Sequence, residues 1–202
     1  MTILMFIFHQ LSRLRLLLYK YKFLKVHSFN IPVISVGNIE YGGTGKTPMV
    51  AWLIKELQLR NKKACVITRG YGRSTSTTIV VNNKKKYSVD EIGDEPFMLL
   101  KENPNIFMVI SNDKVNAINI AIDELGVDVV VLDDGFQSVY IKRDLDIVMG
   151  GAIPTNIKTR EPLINISRAD IVILKPCARE LVEIWPWYVK NFKFNLVKWI
   201  NC

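Results

Sequence analysis

The chain has 202 residues, 49% hydrophobic and 23% charged, with a formal net charge of +8. That length suits one domain, or one domain with an appendage, and it buries a sizeable core without staples. The composition excludes a disordered tail, and the three scattered cysteines, Cys65, Cys177 and Cys202, exclude a disulfide scaffold or a cysteine zinc cluster.

Such sparing use of cysteine fits a reducing compartment. The charge is unevenly placed. Of the 27 basic residues, Arg13, Arg15, Lys20, Lys22 and Lys25 lie in the first 30 positions with no acid among them, which leaves 22 against 19 acids in the body. A basic, apolar start on a nearly balanced body points to a membrane surface rather than to nucleic acid.

In chain order, the first element is a helix. Ile3, Ile7, Leu11, Leu14, Leu18 and Tyr21 recur at helical spacing, with Leu16 and Leu17 off that stripe. Within this first segment the longest stretch free of Lys, Arg, Asp and Glu, residues 1–12, falls well short of the roughly 20 apolar residues that a spanning helix needs. Its charges follow the apolar run, whereas a signal peptide places them before it. Two readings stand: a helix packed on the domain's own core, or an in-plane helix whose Lys and Arg residues meet anionic headgroups. The second keeps the body on the cytosolic side.

After Pro32 short apolar runs alternate with helical patterns. Strands are expected at 33–36, 64–67, 78–81, 106–110, 127–132, 145–149 and 171–174, and helices at 46–60, 95–102 and 113–125. This alternation implies βαβ units and a mostly parallel α/β sheet covered by helices on both faces. The expected organisation is an amphipathic membrane-associating helix at 1–28, a P-loop domain at 29–180, and an aromatic, basic tail at 181–202.

The first of these strands carries the most chemistry. Val33-Ile34-Ser35-Val36 runs into Gly37-Asn38-Ile39-Glu40-Tyr41-Gly42-Gly43-Thr44-Gly45-Lys46-Thr47-Pro48. Glycines let backbone N–H groups surround phosphate oxygens, and the helix N-terminus adds its dipole. Residues 40–47 therefore form the expected ATP-binding loop, with Lys46 on the β/γ-phosphates and the Thr47 hydroxyl on Mg²⁺. Glu40 stands where the first glycine of the usual pattern belongs. A P-loop also needs an acid near Mg²⁺ at the end of a neighbouring buried strand, and Val129-Val130-Val131-Leu132-Asp133-Asp134 has that form. No Asn-Lys-x-Asp string occurs, so nothing favours GTP.

Three more strings surround this pair: Arg69-Gly70-Tyr71-Gly72, Gly93-Asp94-Glu95-Pro96 and Asp133-Asp134-Gly135-Phe136-Gln137. With the loop, Arg160-Glu161-Pro162 and Arg168-Ala169-Asp170, the chain resembles the tetraacyldisaccharide 4'-kinase (lipid A 4'-kinase) family from the N-terminus to about residue 175. The resemblance implies transfer of the ATP γ-phosphate to the 4'-hydroxyl of a tetraacylated glucosamine disaccharide 1-phosphate, with Mg²⁺. The implied place is the cytosolic face of the Gram-negative inner membrane, where the protein is peripheral or monotopic. Its partners are then the acylated lipid and, through residues 1–25, the membrane, with no nucleic acid and no protein partner implied.

By the same resemblance Asp94 is the catalytic aspartate that accepts the hydroxyl proton, and Glu95 beside it supports either the metal or the base. Asp133 and Asp134 are the metal-associated pair, Gln137 follows in that motif, and Glu161 is a further acidic position at the metal. Arg69 and Arg73 are phosphate anchors on charge chemistry alone. Without the resemblance, Asp94 reads equally well as a helix N-cap. The chain departs from the pattern at Ser138, where members usually have histidine, and it stops where they continue into a smaller C-terminal lobe bearing a histidine partner for the aspartate. The aromatic tail is then the start of that lobe. Two other readings remain: a remnant that holds ATP–Mg²⁺ and membrane without turnover, and a membrane-associated P-loop ATPase of the positioning kind. The strings around Asp94 and Asp133 argue against the last.

Overall fold

The computed structural model describes residues 3–39, 44–82, 85–150 and 161–174. Residues 40–43 of the expected ATP-binding loop and the expected tail at 181–202 lie outside the described residues. Helix α1 (Ile3–Lys20) leads into β1 (Val33–Gly37), α2 (Lys46–Leu59), β2 (Ala64–Thr68) and β3 (Ile79–Val81). A short α3 (Val89–Ile92), α4 (Asp94–Glu102), β4 (Phe107–Ile110), α5 (Lys114–Asp123) and β5 (Val129–Asp133) follow. Strand β6 (Leu145–Gly150), a 3-10 turn (Leu163–Arg168) and β7 (Ile171–Leu174) complete the described set.

The seven strands are ordered β3-β4-β2-β5-β1-β6-β7. Neighbouring strands are parallel except β3, which runs antiparallel to β4 at one edge. The expected mostly parallel α/β sheet is therefore present. It follows from strands that are apolar on both faces, since crossover helices leave neither face to water. Side-chain alternation divides the core in two. Val36, Val66, Met108 and Val131 face Val50, Leu53 and Ile54 of α2 and Leu99 of α4. Cys65, Ile67, Val130 and Leu132 face Ala117, Ile118 and Ala121 of α5. Full burial of each larger side chain contributes roughly 1.5–3 kcal/mol. Cys65 is inside β2 between β4 and β5, and burial pushes its thiol up to about 12.

The expected strands and the helices at 46–60, 95–102 and 113–125 are all found, with every end within two residues, whereas the first helix, expected over 1–28, stops at Lys20. Two elements were not foreseen, α3 and the 3-10 turn. Both are too short to show a helical period. Ser88 caps α3, accepting from the Glu91 N–H while Glu91 returns a bond to Ser88 N.

From Gln10 to Lys20, helix α1 is covered on one side only; the side chains of Ile3 and Ile7 from the expected stripe lie outside those described. Leu11, Leu14 and Tyr21 of the expected stripe are exposed, while Leu16 and Leu18 are half-buried. Leu17 joins the exposed row, because it lies three residues after Leu14 and four before Tyr21. These leucines are not core residues. No helix among the described residues is long and apolar enough to cross a membrane. The Arg15 guanidinium donates to the Gln137 carbonyl at 3.3 Å, and His27 bonds the backbone at Tyr140 and Lys142, so the segment is tied to the loop after β5.

That loop presses on β1 at Gly37, where a Cβ would fall 2.6 Å from Phe136 Cβ and 2.8 Å from its backbone N. The contact holds the end of β1 against the turn after β5. Gly37→Ala must push that backbone away, and unfolding in urea should show a loss of roughly 1–3 kcal/mol; unchanged stability would mean that the turn is free to move.

Candidate active site

All strands but β3 point their carboxyl ends to one edge, where ligands of open parallel sheets bind. Strand β1 ends there beside β5, with Val36 paired to Asp133. Helix α2 then opens on Lys46 and Thr47, with Gly45 as its N-cap at φ 87°, a left-handed conformation suited to glycine. Lys46 Nζ lies 3.7 Å from Asp134 Oδ1. At the loop entrance the buried Asn38 donates to Thr44 Oγ1 at 3.0 Å, and Gln137 donates to the Asn38 carbonyl at 2.8 Å. The amide of Gln137 thus braces the backbone just after β1.

Asp133 is only 3% exposed. Thr68, at the end of β2, donates to its Oδ2 at 3.0 Å. Its Oδ1 is buried with no hydrogen-bond partner among the described residues. Burial, and secondarily the negative charge of Glu95, raise its pKa from an ordinary 3.8 to about 6. An uncommitted buried carboxylate oxygen, one residue before the Asp134 that pairs with Lys46, is the kind of donor a hydrated Mg²⁺ takes, because that ion keeps most of its waters and needs few protein oxygens. Accordingly, among the described residues no three His, Cys, Asp or Glu side chains converge on a metal. The residues present fit Mg²⁺.

Lys114, the first residue of α5, is 1% exposed and donates to the Asp133 and Asp134 carbonyls at 2.8 Å each. Burial lowers its pKa to about 8, against the pull of the Asp133 and Asp134 charges. Asp134 itself has φ 51°.

Across from this turn, the Arg69–Gly72 loop interlocks with the Gly93–Asp94 turn. Gly70 and Gly93 have φ of 63° and 91°, and a Cβ at Gly93 would strike the Tyr71 carbonyl at 2.6 Å. Gly93 is the N-cap of α4, with no side-chain cap bond, so Asp94 is not the cap. The carboxylates of Asp94 and Glu95 are exposed in the first turn of α4, and Asp94 Oδ2 lies against Gly72.

The other arginines divide. Arg69 is exposed, close enough to affect the charge of Lys114. Arg73 instead donates to the Thr77, Ser76 and Ile110 carbonyls, which leaves it holding its own loop. Glu161 is buried in an ion pair with Arg168 at 2.6 Å and accepts from Asn165 at 2.9 Å. The guanidinium of Arg168 in turn stacks on the Phe136 ring at 4.2 Å, next to the Asp133–Asp134 turn in the chain. The structure therefore brings Lys46, Asp133, Asp134 and Glu95 together, with Asp94 and Arg69 alongside and Thr47 next to Lys46 in the first turn of α2; Arg73 is committed to its own loop, and Glu161 is paired with Arg168. Sequence reasoning passed over Asn38, Thr68 and Lys114. Lys114 carried a signal, since a base in the first turn opposes the helix dipole.

A parallel sheet with this edge is a P-loop nucleotide-binding fold. The family model for tetraacyldisaccharide-1-P 4'-kinase matches residues 1–198, and the chain belongs to that family. The tetraacyldisaccharide 4'-kinase of Geobacter sulfurreducens is 41% identical over 177 residues, covering 82% of this chain and 50% of that protein. That of Aquifex aeolicus is 36% identical over 206 residues, 98% of this chain and 64% of its own length. A crystal structure of the "apo" form of LpxK from Aquifex aeolicus in complex with ATP matches with a TM-score of 0.77 at 35% identity, covering 87% of this chain and 57% of that one. The chain spans about half the length of most curated relatives it matches.

The buried aspartate has a measurable signature. Because folding raises its pKa from 3.8 to about 6, the folded state binds the extra proton between those values, and stability falls as pH rises through that window. Without metal or nucleotide, wild-type stability relative to Asp133→Asn should drop by roughly 2 kcal/mol between about pH 4 and pH 7. A difference flat with pH would show that the carboxyl is not held protonated by the fold.

Proposed function

We propose that this protein transfers the γ-phosphate of ATP to the 4'-hydroxyl of a tetraacylated glucosamine disaccharide 1-phosphate, at the cytosolic face of the Gram-negative inner membrane. The observation that carries this reading is the meeting of Lys46 with the Asp133–Asp134 turn at the end of β1, opposite the exposed Asp94. The ATP held by the Aquifex aeolicus relative supports the nucleotide half.

In this reading residues 40–47 wrap the phosphates, and Lys46 offsets charge on the β/γ-oxygens. Thr47 and Asp133, with Asp134, would hold Mg²⁺, which neutralises charge on the transferring phosphoryl group. The bond from the 4'-oxygen to the γ-phosphorus forms as the bond to the β-phosphate oxygen breaks, and ADP leaves. Asp94 orients the hydroxyl and takes its proton late in the transfer, where a weak base suffices. Glu95 and Arg69 shape the field around it. Asn38 and Gln137 keep the loop entrance in register.

Two substitutions separate these roles. Lys46→Ala should weaken ATP–Mg²⁺ binding in calorimetry. Asp94→Asn should leave ATP binding intact while transfer to the lipid falls by roughly 10²–10⁴-fold. Transfer retained in Asp94→Asn would remove it from the catalytic role. A wild-type chain that binds ATP–Mg²⁺ and never transfers phosphate would select the binding remnant instead.

The exposed row Leu11, Leu14, Leu17 and Tyr21, flanked by Arg13, Arg15 and Lys20, suits an in-plane membrane helix, with apolar side chains at the acyl boundary and cations at the headgroups. Its tie to Gln137 would bring the site to the surface where an acylated acceptor resides. The protein should sediment with anionic vesicles, less so at high salt and less again without residues 1–25. Equal sedimentation of the shortened form would assign α1 another role.

A further inference from the structure

We propose that Lys114 is a positioning residue that fixes the backbone of the Asp133–Asp134 turn and so aims both carboxylates at the nucleotide-bound metal. The proposal rests on the ATP–Mg²⁺ reading of the site. In a strand, successive carbonyls point to opposite sides. Here the carbonyls of Asp133 and Asp134 both accept from one ammonium, at 2.8 Å each. That convergence marks the point where β5 stops being a strand, and it accompanies a left-handed φ of 51° at a non-glycine residue, Asp134. Such a conformation is unfavourable for a side chain with a Cβ and persists only where its surroundings impose it.

The lysine arrives from a distance. It follows β4, and the sheet order β4-β2-β5 places its targets two strands away, about 10 Å across the edge. Three local costs are accepted for this bridge: a buried ammonium, a base at a helix N-terminus, and a strained aspartate. Asp113 offsets part of the second by capping α5, accepting from Val115 N and Asn116 N. Violations of local rules that gather on one turn are characteristic of functional sites. Buried among carbonyls, the ammonium is no phosphate ligand. Its effect reaches the nucleotide only through the aspartates, as partners behind the ligands of a metal site do.

The test separates metal from nucleotide. ATP affinity of the full chain is measured by calorimetry with and without Mg²⁺, in wild type and in Lys114→Met, which keeps the girth of the side chain and removes its donors. The expected result is that the Mg²⁺-dependent gain falls about 10-fold or more while metal-free ATP affinity is unchanged. A full gain in Lys114→Met, or an equal loss with and without Mg²⁺, overturns the positioning role. Should that variant fail to fold, Lys114→Gln takes the same measurement with the same two readings. A wild-type chain with no Mg²⁺-dependent gain fails the ATP–Mg²⁺ reading itself, and the proposal falls with it.

Discussion

Burying a carboxylate at the end of the innermost strand carries a cost that water would not impose, and much of the arrangement at the carboxyl edge of the sheet follows from how that cost is met. Asp133 keeps one oxygen satisfied by Thr68 and leaves the other uncommitted among buried neighbours. Thr68 can serve because β2 and β5 run parallel in a register that brings their ends level. Lys114 supplies the nearby positive charge without touching the carboxylate oxygens, since its donors go to backbone carbonyls. The site is thus charged, buried and still open to a cation.

Around that centre the loops are fixed by steric contact more than by polar bonds. Gly37 lets Phe136 lie directly on β1, and Gly93 lets the Tyr71 carbonyl approach the start of α4. Each contact excludes any side chain at the glycine. Arg73 adds three carbonyl contacts within and beneath its loop, so the segment facing Asp94 is held from below.

Much of this was legible in the residues. Apolar runs at β1, β2 and β5 announced a doubly covered sheet, and the pattern at 46–60 announced the helix that follows β1. What could not be read was which polar groups meet across the edge. Arg73 and Arg69 look alike four residues apart, yet only the fold turns one guanidinium toward carbonyls as distant in sequence as Ile110. Glu161 likewise finds Arg168 through a turn too short to leave a periodic trace. Gln137 and Asn38 are 99 positions apart and meet because β1 and β5 are neighbours. Lys114 was the one hidden member with a local clue, its charge opposing the helix it begins.

The depth of Cys65 gives the molecule a built-in clock. A thiol flanked by strands on both sides, with its proton held to about 12, offers almost no thiolate to a labelling reagent while the sheet is closed. For a reagent to reach this sulfur, β2 has to part from its neighbours. The rate at which it becomes reactive therefore reports how often the sheet itself comes apart.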